Sequence, residues 1–278
     1  MWRPSVSNLW RRSASLVLRL GHSHIQLWQS DIKGQGKFEL LKSISLETLH
    51  FEGNGALSRL IGGLKEAIPN EAKITVVADS KWVPVMLLNT GKEPLSSDQV
   101  RALAQHRFSE LYGHGASHWT YLTNYLSGDQ HCLAFGCPLD LGPAIQAGLD
   151  CEETIKQSVD ASRTKVKLIS LQPTFLWSWG VLQRKGIARN RCFVLMEDDR
   201  ALIAFYEKGK ITAFHPAGPQ RSVSSLSSEL PTVLLRAGVV DSPHSTMVAT
   251  FEKLLDSETS ASDATTTWHS FLAKGRAA

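Results

Sequence analysis

Residues 16–28 read LVLRLGHSHIQLW, and the reading of this stretch decides how the rest of the chain is read. Leu16 to Leu20 is apolar except for Arg19, Gly21 interrupts the run, and Ile25, Leu27 and Trp28 resume it. That pattern predicts two strands joined by a tight turn. A third strand is expected over 38–44. Asn54 then caps a helix in which Leu57, Leu60, Ile61, Leu64 and Ile68 recur at helical spacing until Pro69 and Asn70,. Residues 74–78 are apolar without alternation, as in a strand covered on both faces. The opening order is therefore β-β-β-α-β.

Working outward, Ser96 with Gln99 forms a capping box. Behind it Val100, Leu103, Ala104, Phe108 and Leu111 make one apolar stripe that stops at Gly113,. That geometry leaves Arg101, His106 and Arg107 on the outer side of the helix. Strands are expected near 119–126 and 131–136, with Pro138 opening a helix through Gln146. A strand over 165–171 is followed by a helix starting at Pro173 and carrying Phe175, Leu176, Trp179 and Leu182. Trp177, Trp179 and Phe175 read as core. Strands over 192–196, 202–206 and 211–214 repeat the opening meander. An amphipathic stretch over 224–235, broken by Pro231, and a strand over 247–250 complete the repeat. The duplicated order, split by an inserted portion, argues for two related α/β domains around a cleft.

The chain has 278 residues, 42% hydrophobic and 20% charged, enough apolar material for sizeable cores and too much for a disordered chain,. Its formal charge of +4 is too dilute over this length for a nucleic-acid footprint,. Cys132, Cys137, Cys151 and Cys192 are too few to staple such a chain, which points to a reducing compartment,. No window approaches the ~20 apolar residues of a spanning helix. Arg3, Arg11, Arg12 and Arg19 precede the first acid, Asp31, with Trp2, Leu9 and Trp10 among them. Without the apolar core of a secretory signal, residues 1–14 read as a flexible basic extension.

The duplicated order resembles the actin-like ATPase fold. Several words resemble the PilM family of type IV pilus assembly proteins and the related cytoplasmic part of type II secretion GspL proteins. They are residues 16–28, the strand word ITVVADSKWVPVMLL at 74–88, QVRALAQHRFSELYG at 99–113, ISLQPTFLWSW at 169–179 and CFVLMEDDRALIAFY at 192–206. The fold class implied is α/β, actin-like or ribonuclease H-like, with duplicated β-β-β-α-β domains and an inserted small subdomain. Its divisions are the extension over 1–14, a first domain over 15–187 with the insertion at about 81–136, a second domain over 188–255, and a mobile Ser/Thr-rich tail over 256–278. The function implied is a cytoplasmic scaffold, peripheral at the inner face of the bacterial inner membrane. It would dock the cytoplasmic segment of a bitopic membrane partner in a groove that involves the insertion. Arg101, His106 and Arg107 are the residues we assign to partner binding.

Active nucleotide binders of this fold begin with Asp-x-Gly and a small hydroxyl residue, because the carboxylate organises the metal and the glycine turn donates N–H groups to phosphate. Here Arg19 stands at the Asp position, while Gly21 and Ser23 keep the turn as a degenerate phosphate hairpin. The second hairpin of the family carries an Asp-Ile-Gly word, where this chain has Met196, Glu197, Asp198 and Asp199. The expectation is a pseudo-ATPase with no cofactor. ATP binding is the alternative, with the Arg19 guanidinium taking phosphate in place of a metal. In the structural alternative Arg19 pairs with a carboxylate or faces solvent.

A second alternative is a metal-dependent hydrolase. His22 and His24 are two apart on the hairpin, so a strand aims both imidazoles to one side, but such a site needs further ligands. His114 and His118 are i,i+4, yet Gly113 and Gly115 oppose a helical display. Cys132 and Cys137 lack the C-x-x-C spacing of a zinc knuckle. No G-x-S-x-G or G-x-x-x-x-G-K-[ST] word exists,. Gly53, Gly55, Gly62 and Gly63 are read as turn and helix-packing positions.

Overall fold

A computed structural model describes residues 15–30, 38–46, 54–69, 72–91, 95–124, 131–150, 166–184, 192–198, 200–207, 210–219, 246–251 and 255. The basic extension over 1–14, the stretch 224–235, Asp199 and the tail over 256–278 lie outside the described residues.

The opening strands form as the pattern predicts. β1 (Ser15–Leu20) pairs antiparallel with β2 (His24–Ser30), which pairs antiparallel with β3 (Phe38–Ser45). β4 (Lys73–Ala78) returns parallel to β1, with Leu20 opposite Ala78. β8 (Lys167–Pro173) completes a five-stranded sheet of order β3-β2-β1-β4-β8. The central strands have no alternation because both faces are covered: Leu16, Leu18, Ile74 and Val76 have no solvent exposure, nor does Val77,.

One covering layer is a helix pair, α1 (Asn54–Gly62) and α3 (Leu141–Asp150). They approach so closely that a Cβ on Gly148 would lie 2.6 Å from the Ser58 carbonyl oxygen, and Ser58 Oγ donates to the Ala144 carbonyl at 2.8 Å. The stripe Leu57, Ile61, Leu64 is fully buried, each side chain contributing about 1.5–3 kcal/mol. The single helix expected through Ile68 instead ends at Gly62 and tightens into a 3₁₀ turn at Lys65–Ala67. The Gly62-Gly63 pair weakens the helix there, and Lys42 Nζ takes the Gly63 carbonyl at 2.7 Å,.

Two further expectations are corrected. The word at 74–88 is two strands, β4 and β5 (Val85–Asn89), because Trp82 and Val83 donate to the Asp79 carbonyl and turn the chain before Pro84. Pro138 ends a strand, β7 (His131–Pro138), and does not open a helix; α3 begins three residues later.

β5, β7 and β6 (Trp119–Asn124) form a separate antiparallel sheet in the order β5-β7-β6. One face is covered by α2 (Ser97–Tyr112), whose capping box at Ser96 and Gln99 is present in both directions. Val100, Ala104 and Phe108 pack with Leu88, Ala116, Tyr121, Cys132 and Ala134. Leu111, expected on the inward stripe, is 70% exposed. It lies in the last turn of α2, past the buried cluster that ends at Phe108.

The second meander repeats the first. β9 (Cys192–Met196), β10 (Arg200–Glu207) and β11 (Lys210–Pro219) are antiparallel, and β12 (Thr246–Thr250) returns parallel to β9. The order β11-β10-β9-β12 thus matches β3-β2-β1-β4. α4 (Thr174–Arg184) buries Phe175, Trp177 and Trp179, with Phe175 at 5.8 Å and Trp179 at 6.1 Å from Phe193 between ring centroids. The chain divides into two compact units, one of residues 1–78, 140–172 and 255–257, the other of residues 79–139, 173–254 and 258–278.

Candidate functional site

The first hairpin begins where β1 runs out of buried apolar residues. Arg19 is 2% exposed, and its Nη1 donates to Oε1 of Gln26 at 3.3 Å, its antiparallel partner across the ladder. A buried guanidinium is stable only when its donors are met, and an amide oxygen is a suitable acceptor. A cation is therefore held away from solvent at the end of β1, directly before the turn. The Gly21 N–H donates to the His24 carbonyl at 2.8 Å, closing the hairpin on itself, and the Ser23 carbonyl accepts from Leu46 N–H at 2.7 Å. Ser23 Oγ lies 2.8 Å from His24 Nδ1. His22 sits in the turn and is buried, whereas His24 begins β2 and is exposed. The two imidazoles thus lie in different environments, not side by side as a single strand would place them.

The second hairpin closes in the same way: Glu197 N–H donates to the Arg200 carbonyl at 2.8 Å, the same i to i+3 bond that Gly21 makes. The carboxylate of Glu197 is buried and bound by residue 80. Ser80 N–H donates to Oε1 at 2.9 Å, and Ser80 Oγ donates to Oε2. The preceding Asp79 is fully buried and accepts from Thr174 Oγ1 at 2.6 Å, at the first residue of α4. Charge-assisted bonds of this kind are the stronger ones, and they allow two carboxylates to be buried. One turn along α4, Ser178 Oγ is buried with no partner among the described residues.

Asp79, Ser80 and Thr174 escaped the sequence reading. The signal was local but weak: polar residues placed directly at the end of a buried strand and at the start of a helix.

On α2, Arg101, His106 and Arg107 are exposed, as the stripe predicts, but each faces an acid of the same helix. Arg101 is 3.7 Å from Asp98, His106 Nε2 is 3.2 Å from Glu110, and Arg107 Nη1 is 2.9 Å from Glu110. The Arg107 hydrogen bond, helped by the charges of His106 and Arg107, holds the Glu110 carboxyl below its ordinary range,. Beneath them burial pushes the hydroxyls of Tyr112 and Tyr121 up, with Arg200 opposing the shift at Tyr112. His114 and His118 lie in a 3₁₀ turn, where residues four apart fall on different sides,. Among the described residues no three His, Cys, Asp or Glu side chains are grouped to hold a metal. No helix among them is long and apolar enough to cross a membrane.

No protein-family model matches the chain, and no curated protein matches its sequence. Solved structures do. A Bacteroides thetaiotaomicron protein described as having the actin-like ATPase fold and unknown function aligns over 82% of this chain and 78% of its own. The identity is 10% and the TM-score 0.53. A structure of the PilM-PilN type IV pilus biogenesis complex aligns over 92% of this chain and 87% of its own, at 13% identity and a TM-score of 0.57. The cytoplasmic domain of EpsL, an inner-membrane component of the Vibrio cholerae type II secretion system, aligns over 86% and 82% at a TM-score of 0.45 and 12% identity. With two matching meanders, each returning through a parallel strand, and these first two likenesses, the chain has the actin-like ATPase fold and is similar in fold to PilM.

Proposed function

We propose that this chain is a non-catalytic scaffold of a type IV pilus or type II secretion-like assembly at the inner membrane. It docks the cytoplasmic segment of a bitopic membrane partner and is held at the cytoplasmic face through that partner. The observation that carries the reading is the buried Arg19 bonded to Gln26, where a nucleotide-hydrolysing relative needs a carboxylate for its metal,. The binding of the Glu197 carboxylate by Ser80 adds support, because a carboxylate already held by two donors is poorly placed to organise a cation. The likeness to the PilM-PilN complex supplies the kind of assembly.

The docking face is the outer side of α2, with Arg101, His106 and Arg107. Because each of these side chains already faces an acid of the same helix, recognition there relies on hydrogen-bond geometry more than on net charge,. Calorimetric titration with Mg-ATP tests the first half: binding weaker than about 10 µM is expected, and Mg²⁺-dependent binding tighter than that overturns it in favour of an ATP-binding reading. Co-purification with a co-expressed bitopic inner-membrane protein of a type IV pilus or type II secretion system, lost in Arg107→Glu, tests the second half.

A further inference from the structure

We propose that the end of the first sheet at which β1 begins, together with the arginines that precede β1, binds an anionic phospholipid surface directly. This inference rests on where charge lies along the chain and is independent of the proposed function. The formal charge of +4, small for the whole chain, is not spread over it. Arg3, Arg11, Arg12 and Arg19 precede the first acid, Asp31, and the other 26 of the 30 basic residues are balanced by 26 acids. Arg19 is buried at its strand end, bonded to Gln26, which leaves the excess on the three arginines ahead of β1.

The fold adds charge at the same place. β1 starts at Ser15, whose register partner is Lys73 at the start of β4, and the Lys167 N–H at the start of β8 donates to the Ala72 carbonyl at 3.0 Å. The two lysines therefore stand on adjacent strands, at the end of the sheet where the chain enters β1. Both are exposed, and neither has an ion-pair partner among the described residues. Lys42, Arg101 and Arg107, by contrast, each lie within 3.7 Å of an acid. Arg12 is three residues from Ser15, a reach of at most about 11 Å. In the sequence Arg163 and Lys165 lead into β8, against Glu71 ahead of β4 and Asp31 after β2, so the balance at this end is positive. Glu39 lies on β3, on the far side of β1 from both lysines.

Positive charge alone suits any polyanion, and the residues between the arginines select among them. Trp2, Leu9 and Trp10 are interleaved with Arg3, Arg11 and Arg12. Indole has an apolar body and a polar N–H, which suits it to the headgroup level of a bilayer, and arginine keeps its head at phosphate while its stem lies in apolar surroundings. An anionic bilayer offers both layers at once, a sheet of phosphate over hydrocarbon, and clusters of cations with aromatic residues are the pattern that binds it. Three arginines, two lysines and two indoles make a modest, reversible contact, with half-binding at about 0.1–1 mM lipid.

Flotation of the purified full chain with vesicles of phosphatidylglycerol and phosphatidylcholine, against vesicles of phosphatidylcholine alone, tests the proposal. Binding is expected on the anionic vesicles, at least tenfold weaker on the neutral ones, and falling as salt screens the exposed charges. Replacing two cations, in the double variant Arg11→Ala with Arg12→Ala, is expected to weaken it by roughly tenfold or more. Lys73→Gln with Lys167→Gln is expected to weaken it by at least threefold. All four residues lie ahead of β1 or are exposed at strand starts, and an unchanged circular dichroism melt confirms that each variant folds. No binding at about 2 mM anionic lipid, equal binding to neutral vesicles, or binding indifferent to either pair of substitutions overturns the proposal. So does tighter binding to a duplex oligonucleotide than to the vesicles at the same salt, which assigns the charge to nucleic acid. Because the chain is alone with lipid, failure here leaves the docking of a membrane partner untouched.

Discussion

Phe108→Ala removes the ring at the centre of the small sheet's core. That ring is fully buried and lies 5.3 Å from Tyr121, 5.9 Å from Tyr112 and 6.0 Å from Trp119 between centroids. It also rests on the backbone of β7: a Cβ built on Gly136 would stand 3.0 Å from it. Phe to Ala in a core costs about 3–5 kcal/mol, the larger values where the surroundings cannot collapse. Here one wall is a strand backbone paired on both sides, so we expect about 4 kcal/mol. The chain has two compact units, so a single unfolding midpoint is a poor measure,. Native-state hydrogen exchange on the α2 amides reads the local opening directly. At 1.4 kcal/mol per tenfold change, protection should fall by roughly two to three and a half orders of magnitude. Arg107→Ala on the opposite side of the same helix should change it by less than about threefold, or 0.5 kcal/mol. A loss below tenfold in Phe108→Ala would refute the claim that this ring holds α2 to the sheet.

Further outcomes follow from the same geometry. Gly148→Ala should destabilise by more than Gly136→Ala, because its Cβ meets the Ser58 carbonyl and Ile61 Cβ at 2.6 and 2.7 Å, whereas that of Gly136 meets the Trp119 ring, a side chain able to shift; about 2–3 against 1–2 kcal/mol is expected from native-state hydrogen exchange of the α1 and α3 amides and of the β7 amides, respectively. Ser80→Ala should cost about 1.5–3 kcal/mol by leaving the buried Glu197 carboxylate one donor short, and Glu197→Gln in the same background should recover part of it,. Glu110 should titrate below the usual carboxylate range by NMR, and Arg107→Ala should bring it upward. The sign follows: a depressed carboxyl contributes stability above its unfolded pKa that is lost as pH falls through the folded one, so the last turn of α2 should fray first in acid.

What could be read from residues alone was whatever is encoded within one element or one turn. The opening hairpin, the capping box at Ser96, the inward stripe of α2 through Phe108 and the repeated meander all depend on neighbours a few residues apart. That a cation, Arg19, stands just before the hairpin turn was equally legible, since a residue type needs no coordinates. Its burial against Gln26 was not, because solvent exposure at a strand end depends on what covers the sheet. Tertiary structure decided the rest. Pro138 ends a strand because β6 extends far enough to pair with it, and Leu111 is exposed because it lies beyond the cluster that buries Phe108. Ser80 and Glu197 meet across 117 positions, as do Asp79 and Thr174 across 95. Such pairs leave no periodicity behind, because the closeness of two distant residues is a property of the chain's path and not of any local pattern.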